Sequence, residues 1–252
     1  MPVSRMALLD ALNTLLQPQL IADGCPNGLQ IEGKALITKM VTGVTASQAL
    51  IDRAVECKAD AILVHHGYFW KGEDSCLTGM KKKRIATLLK HDINLFAYHL
   101  PLDIHPSLGN NAQLALRLGI SNIQNLEGGK YSIALKGAFT PPITPKALAA
   151  RLQQVLGKVP LFEQVEKELI HTVAWCTGGG QKYIDLAANE GIDAFITGEV
   201  SEQTIHTARE MNIHFYAAGH HATERFGVQA VGDYLASQFE LEVDFIDIAN
   251  PA

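Results

Sequence analysis

The stretch KMVTGVTASQALIDRAVECKADAILVHH (residues 39–66) decides the fold, because the chain contains it twice. Residues 172–199, TVAWCTGGGQKYIDLAANEGIDAFITGE, align with it without a gap at an offset of 133 residues (Asp52 to Asp185). Gln48, Ile51, Asp52, Ala54, Asp60 and Ala61 match Gln181, Ile184, Asp185, Ala187, Asp193 and Ala194. In each copy an apolar run (MVTGV, then TVAWC) passes through a polar or Gly-rich turn into an amphipathic helix. A second apolar run comes next (ADAILV, then IDAFIT), which is the grammar of strand, helix, strand. Both copies continue through another helix into another strand, INLFAY at 93–98 and IHFYAA at 213–218. There Ile93 and Ala97 match Ile213 and Ala217 at an offset of 120 (Ile93 to Ile213).

Short apolar strands alternating with helices predict the α/β class, with mostly parallel sheets covered by helices, and ligands in such sheets collect outside the carboxyl ends of strands. Between the copies, EGGKYSIALKGAFTPPITPKALAARLQQVLG (127–157) reads as a strand pair, a proline-marked turn and a helix. The expected organisation is a discontinuous first domain of residues 1–126 plus 215–252 and a second of residues 127–214. The functional site is expected at their interface.

The residues just beyond each strand carry the chemistry. ADAILV runs into His65-His66-Gly67, INLFAY into His99-Leu100-Pro101-Leu102-Asp103, and IHFYAA into Gly219-His220-His221-Ala222-Thr223-Glu224. Imidazole with carboxylate suits divalent Zn, Fe, Mn, Ni or Co, and the absence of cysteine from the set argues against an iron–sulfur or structural zinc centre. His220 and Glu224 share a face if a helix begins near residue 220. His65 and His66, on a tight turn opened by Gly67, can reach two metals about 3.5–4 Å apart.

Other residues near these positions have alternative readings. His99 can orient a ligand or give a proton to a leaving group. His221 borders a ligand and serves the surface or the surrounding shell. Glu199, which the duplication sets opposite His66, can act as general base or cap a helix starting at Ser201. Thr177-Gly178-Gly179-Gly180 can hold an anion on its free N–H groups or simply make a tight turn. Tyr68, Phe69 and Trp70 can form a lid or pack in the core, and Lys71 can meet a phosphate. Asn27, Gly28 and Gln30 form a turn expected to border the cavity. No G-x-x-x-x-G-K-[ST] or G-x-G-x-x-G motif is present, so nucleotide binding of those two types is not supported.

Composition sets the outer limits. The 252 residues are 47% hydrophobic and 19% charged, a globular balance, and no apolar run approaches the ~18 residues a membrane span needs. MPVSRMALLDALNTLL reads as a first helix rather than a secretory signal. Cys25, Cys57, Cys76 and Cys176 lie far apart, which suggests no disulfide framework and points to a reducing cytoplasm. The net charge of −5 opposes generic binding to a phosphate backbone. The one basic cluster, Lys81-Lys82-Lys83-Arg84, reads as a solvated helix face, with a nucleic-acid or other anion patch as the alternative.

The segments ADAILVHHGYFWKGE, FAYHLPLDIHPSLGNNAQLA, AWCTGGGQ, DAFITGEVSEQ and YAAGHHATERFG, with the early DGCPNGLQIEG, resemble the Nif-three-like family. Its members are commonly called GTP cyclohydrolase 1 type 2 homologs. The resemblance spans nearly the whole chain. It implies a two-domain, three-layer α/β subunit and a dinuclear centre of two divalent metal ions. It places ligands at His65, His66, Asp103, His220 and Glu224, with Glu224 bridging, and it implies a ring-shaped homohexamer. The activity it suggests is hydrolysis by metal-activated water, on a nucleotide or related small molecule. The alternative is a non-catalytic, metal-stabilised ring that binds a partner or nucleic acid.

Overall fold

The computed structural model describes residues 2–252, which separate into two compact units: residues 2–109 with 227–249, and residues 110–226 with 250–252. These boundaries lie away from the sequence-based ones at 126/127 and 214/215, for a physical reason. The helix Asn110–Leu118 gives Leu114, Ala115 and Leu118 to the same core cluster as Trp175. The strand His214–Ala217 lies inside the second unit's sheet.

The first unit contains β1 (Val3–Ser4), β2 (Gly28–Ile31), β3 (Leu36–Ile37), β4 (Lys39–Thr45), β5 (Ala61–His66) and β6 (Asn94–Ala97). The second contains β7 (Ser121–Asn125), β8 (Leu135–Ile143), β9 (Leu161–Glu163), β10 (Ile170–Cys176), β11 (Ala194–Thr197) and β12 (His214–Ala217). β13 (Glu242–Phe245) belongs to the first unit. Its five-stranded sheet has the order β13-β4-β5-β6-β2, parallel except for β2. The six-stranded sheet of the second has the order β7-β8-β10-β11-β12-β9, with β10, β11 and β12 parallel and β7, β8 and β9 antiparallel to their neighbours.

Alternation along the strands buries both faces of each sheet. Met40, Leu63 and Phe96 face one core cluster, while Val41, Ile62, Val64 and Leu95 face another. Val173, Trp175, Ile196 and Tyr216 pack on one side of the second sheet, and Ala174, Phe195 and Phe215 on the other. Such two-faced burial explains the continuous apolar runs of the duplicated strands. It also fixes register, because a one-residue slip would exchange the two clusters.

The crossover helices start where their caps say they should. Ser47 accepts from Leu50 N to open Gln48–Glu56, and Ser201 makes a reciprocal box with Thr204 to open Glu202–Glu210. Thr144 caps Pro145–Leu156, which ends on Gly157 in the left-handed region. Pro141 and Pro142 do not make the expected turn. They lie within β8, where its register against β10 shifts between Ala138 and Ile143, and a proline without an N–H is tolerated at such an irregularity.

Candidate metal centre

In the first unit the chemistry lies at the carboxyl ends of β4, β5 and β6. His65 and His66 are the last two residues of β5, not members of the expected turn. Their rings are nevertheless 4.5 Å apart between centroids, and His99, two residues beyond β6, lies 5.0 Å from His65 and 5.7 Å from His66. One ring nitrogen from each of the three lies within 4.8 Å of the other two. Gly67 comes next with no room for a side chain, since a Cβ there would come 2.2 Å from Gln30 Oε1.

Each imidazole has its Nδ1 already engaged. His65 Nδ1 lies 3.1 Å from the Tyr98 carbonyl, which can only accept, so the neutral ring carries its proton on Nδ1 and its lone pair on Nε2. That Nε2 faces buried Asp103 Oδ2 at 3.5 Å. Asp103 sits on the short helix Leu100–Ile104. His66 Nδ1 lies 3.2 Å from Thr45 Oγ1 at the end of β4, and His99 Nδ1 lies 2.8 Å from Asp23 Oδ1. A second group on the far nitrogen is the usual way a protein orients a metal-binding imidazole.

Asp23, absent from the sequence-based site, is a hub of this end. It also accepts from Gly24 N, Leu100 N and Asn27 Nδ2. Burial pushes its carboxyl up, but the bonds from His99, Asn27 and Leu100 outweigh that and bring it to about 2. Cys25 is close to Asp23 and His99, and burial with the Asp23 charge pushes its thiol up to about 12. Asn27 Oδ1 accepts from His99 N, and Gln30 accepts from Tyr68 N and donates to Pro26 O and Tyr68 O. The 23–30 segment therefore ties the loop after β5 at Tyr68 to the loop after β6 at His99 and Leu100.

The aromatic run after the histidine pair divides its tasks. Tyr68 is core, its hydroxyl donating to Ala46 O. Trp70 stands edge-on to His99 with centroids 4.9 Å apart, and Phe69 is exposed. Lys81 is tied down by Asp74 O at 2.9 Å, Glu73 at 3.3 Å and the Phe69 ring at 5.1 Å. It is therefore not a solvated member of a basic face.

In the second unit, Gly219 at φ 100 turns the chain into the short helix His220–Thr223, an angle that an L side chain rarely adopts. His220 Nε2 lies 3.2 Å from buried Glu224 Oε2, the expected four-residue pair. His220 Nδ1 is held by Glu199 Oε1 at 2.6 Å, and Glu199 also accepts from Gln181. The Glu224 bond, against burial and with help from Glu199, pushes His220 up to about 9. Glu199 is thus an imidazole partner, and Ser201 caps the next helix.

The Gly-rich turn is a packing device. Gly178 N donates to Thr223 Oγ1 and Gly180 N to Thr197 Oγ1, so these N–H groups are not presented to an anion. A Cβ on Gly178 would stand 2.0 Å from Glu224 Oε1 and 3.2 Å from His220 Nε2. One on Gly198 would meet His220 Cα at 2.6 Å. His221 donates its backbone N–H to Ala252 O.

Two sheets with parallel centres, each gathering imidazole and carboxylate at its carboxyl strand ends, define a duplicated α/β protein with side-chain groups able to hold metal ions. A family profile described as Duf34/NIF3 (NGG1p interacting factor 3) matches residues 3–251, and the chain belongs to that family. It is 60% identical over 251 residues to the GTP cyclohydrolase 1 type 2 homolog of Pasteurella multocida, covering 99% of this chain and 100% of that one. Among solved structures it resembles protein ybgI, a protein of unknown function, with a TM-score of 0.95, 54% identity and coverage of 99% and 100%. It also resembles TTHA1606 from Thermus thermophilus, with a TM-score of 0.90, 33% identity and coverage of 99% and 100%. Among the described residues no helix is long and apolar enough to cross a membrane.

Proposed function

We propose that the chain is a metal-dependent hydrolase in which His65, His66 and Asp103 from the first unit and His220 and Glu224 from the second would together hold two divalent metal ions. The observation that supports this most is the orientation of the imidazoles. His65 and His220 are pinned through Nδ1 by a carbonyl and a carboxylate, with Nε2 directed to Asp103 and Glu224. The donor set of nitrogen and carboxylate oxygen fits two divalent ions, with Fe, Zn, Mn, Ni and Co all compatible. A pair of such ions supplies Lewis-acid activation of water near neutral pH.

The chain's own residues then have distinct tasks. Thr45 and Glu199 fix the rings of His66 and His220, and the bare side of Gly178 leaves room beside Glu224. Trp70 walls the imidazole cluster and limits water there, and His99 faces that cluster as hydrogen-bonding or proton-transferring partner of the substrate. Nucleotides are the first substrate class to test, because relatives at 53–60% identity carry the cyclohydrolase name. The ring-shaped homohexamer and the cytoplasmic location that the sequence resemblance implies belong to the same reading, and light scattering on the purified protein checks the oligomer.

The decisive experiment assays full-length protein, loaded with each metal, on nucleotides and phosphoesters. Glu224→Ala is expected to lose tightly bound metal and all turnover while the oligomer persists. If Glu224→Ala and His65→Ala leave every detected turnover unchanged and instead disrupt assembly, the protein is a metal-stabilised scaffold and the hydrolase reading fails.

A further inference from the structure

Asp23 occupies a pocket in which each hydrogen-bonding neighbour of its carboxylate is a donor. Gly24 N at 2.6 Å and His99 Nδ1 at 2.8 Å meet Oδ1, while Leu100 N at 2.9 Å and Asn27 Nδ2 at 3.0 Å meet Oδ2. Only an acceptor-only group satisfies four such neighbours, and a carboxylate is that group. Its side chain is 3% exposed, so solvent cannot substitute for a missing bond. Asn27 closes the circuit by accepting His99 N at 2.7 Å. His99 is therefore held by its backbone and by its ring from one turn.

We propose that Asp23 is a positioning residue that fixes the His99 tautomer, so that Nε2 offers a lone pair to a hydrogen-bond donor, a hydroxyl or ring N–H, of the bound substrate. A carboxylate cannot donate, so whenever His99 is neutral its proton sits on Nδ1 and Nε2 is bare. The His65 and His66 rings lie 5.0 and 5.7 Å away, and Trp70 stands edge-on at 4.9 Å, which sets the ring beside the metal ligands. A substrate carbonyl at this position would face a lone pair and be disfavoured. The nearby Cys25 does not turn the trio into a sulfur-ligated metal site. Asp23 is already saturated by four donors, and burial beside that carboxylate keeps the sulfur protonated.

The consequence for substrate choice rests on the metal-centre reading, but the tautomer does not. The test is nitrogen-15 NMR on full-length protein, with the His99 signals identified by their loss in His99→Gln, together with calorimetric zinc titration. In the wild type Nδ1 is expected to be the proton-bearing nitrogen. Asp23→Asn brings an amide donor against the surrounding donors and is expected to give mixed tautomers. A wild-type His99 carrying its proton on Nε2 overturns the proposal, and that measurement needs no variant to fold. An unchanged tautomer in Asp23→Asn does the same. A loss of zinc affinity of more than about tenfold in His99→Gln would make His99 a ligand and overturn its substrate-facing role. A wild type that binds no zinc, or any other divalent ion, defeats the metal-centre reading instead, and the tautomer result still decides the proposal.

Discussion

The two units keep the same hydrogen-bond network at one end of their sheets and differ at the other. At the amino ends of the parallel strands, Asp60 accepts from Lys34, Thr38 and the backbone of residues 38 and 39. Asp193 accepts from Lys167, Thr172 and the backbone of residues 171 and 172, each backbone position displaced by the same 133 residues. Asn94 donates to the carbonyl of Lys34 and accepts from Gly33 N. Its counterpart His214 approaches the carbonyl of Lys167 through Nε2 and accepts from Val165 N through Nδ1. At the carboxyl ends, His65-His66 stand where the other copy has Gly198-Glu199. The network end closes the sheet and tolerates only substitutes that make equivalent bonds, whereas the carboxyl end is free to differ.

If that comparison is right, the largest stability losses come from either carboxylate hub. Asp60→Ala and Asp193→Ala should each cost about 3 kcal/mol in urea unfolding, because each leaves backbone N–H groups and a lysine without their acceptor. A cost near zero in one copy and not the other would break the equivalence. Acid should show the same residues. Burial raises Asp60 and its bonds outweigh that, bringing it to about 2, and Asp193 is also lowered against burial by its bonds. Their contribution is present above the unfolded carboxylate value and is lost as pH falls below about 3.8, for Asp60 down to about 2.

The ligand end should respond in binding rather than folding. Gly178→Ala is expected to weaken zinc binding about 10–100-fold by calorimetry, since the new methyl would displace Glu224. Gly191→Ala is the control. It has a similar positive φ with nothing within 4 Å of a Cβ, so it should carry only the backbone penalty of about 1 kcal/mol and leave binding alone. Equal effects from the two would mean that the Gly178 cradle does not matter.

The smallest expected effect sharpens the comparison most. His214→Asn recreates the first unit's solution and should cost about 1 kcal/mol or less at neutral pH. Burial is the main cause lowering His214, so the folded protein prefers its neutral form while the unfolded chain takes a proton below about 6.5. Stability should therefore fall as pH drops through that value, and His214→Asn should flatten this part of the profile.

The strand ends were readable because imidazole and carboxylate residues follow the duplicated strands: HH, HLPLD and GHHATE each come directly after an apolar run. Asp23 was not readable. An Asp-Gly dipeptide before Cys-Pro-Asn reads as turn chemistry, and its four bonds join residues up to 77 positions apart. The further reach of the duplication was also hidden. Leu29 pairs with Phe96 as Phe162 pairs with Tyr216, at the same two offsets, yet GLQI and LFE share no residue at matched positions, because an edge strand needs only a backbone partner. The unit boundaries were misplaced at residues 110–126 for a similar reason, since an amphipathic helix declares a buried face but not the sheet that buries it.

The order in which the chain is synthesised bears differently on the two units. β13 pairs with β4 across a sequence separation of about two hundred residues, and Val228, Val231, Leu235 and Leu241 complete a core begun by Leu8 and Leu12. The six-stranded sheet needs no strand beyond residue 217. On a ribosome the second unit can close its sheet while the first still waits with an open edge and an unfilled core. Low-separation contacts form sooner than distant ones. Delayed or truncated synthesis near residue 227 should therefore leave the later-encoded unit folded and the first one, with its histidine cluster, exposed to aggregation.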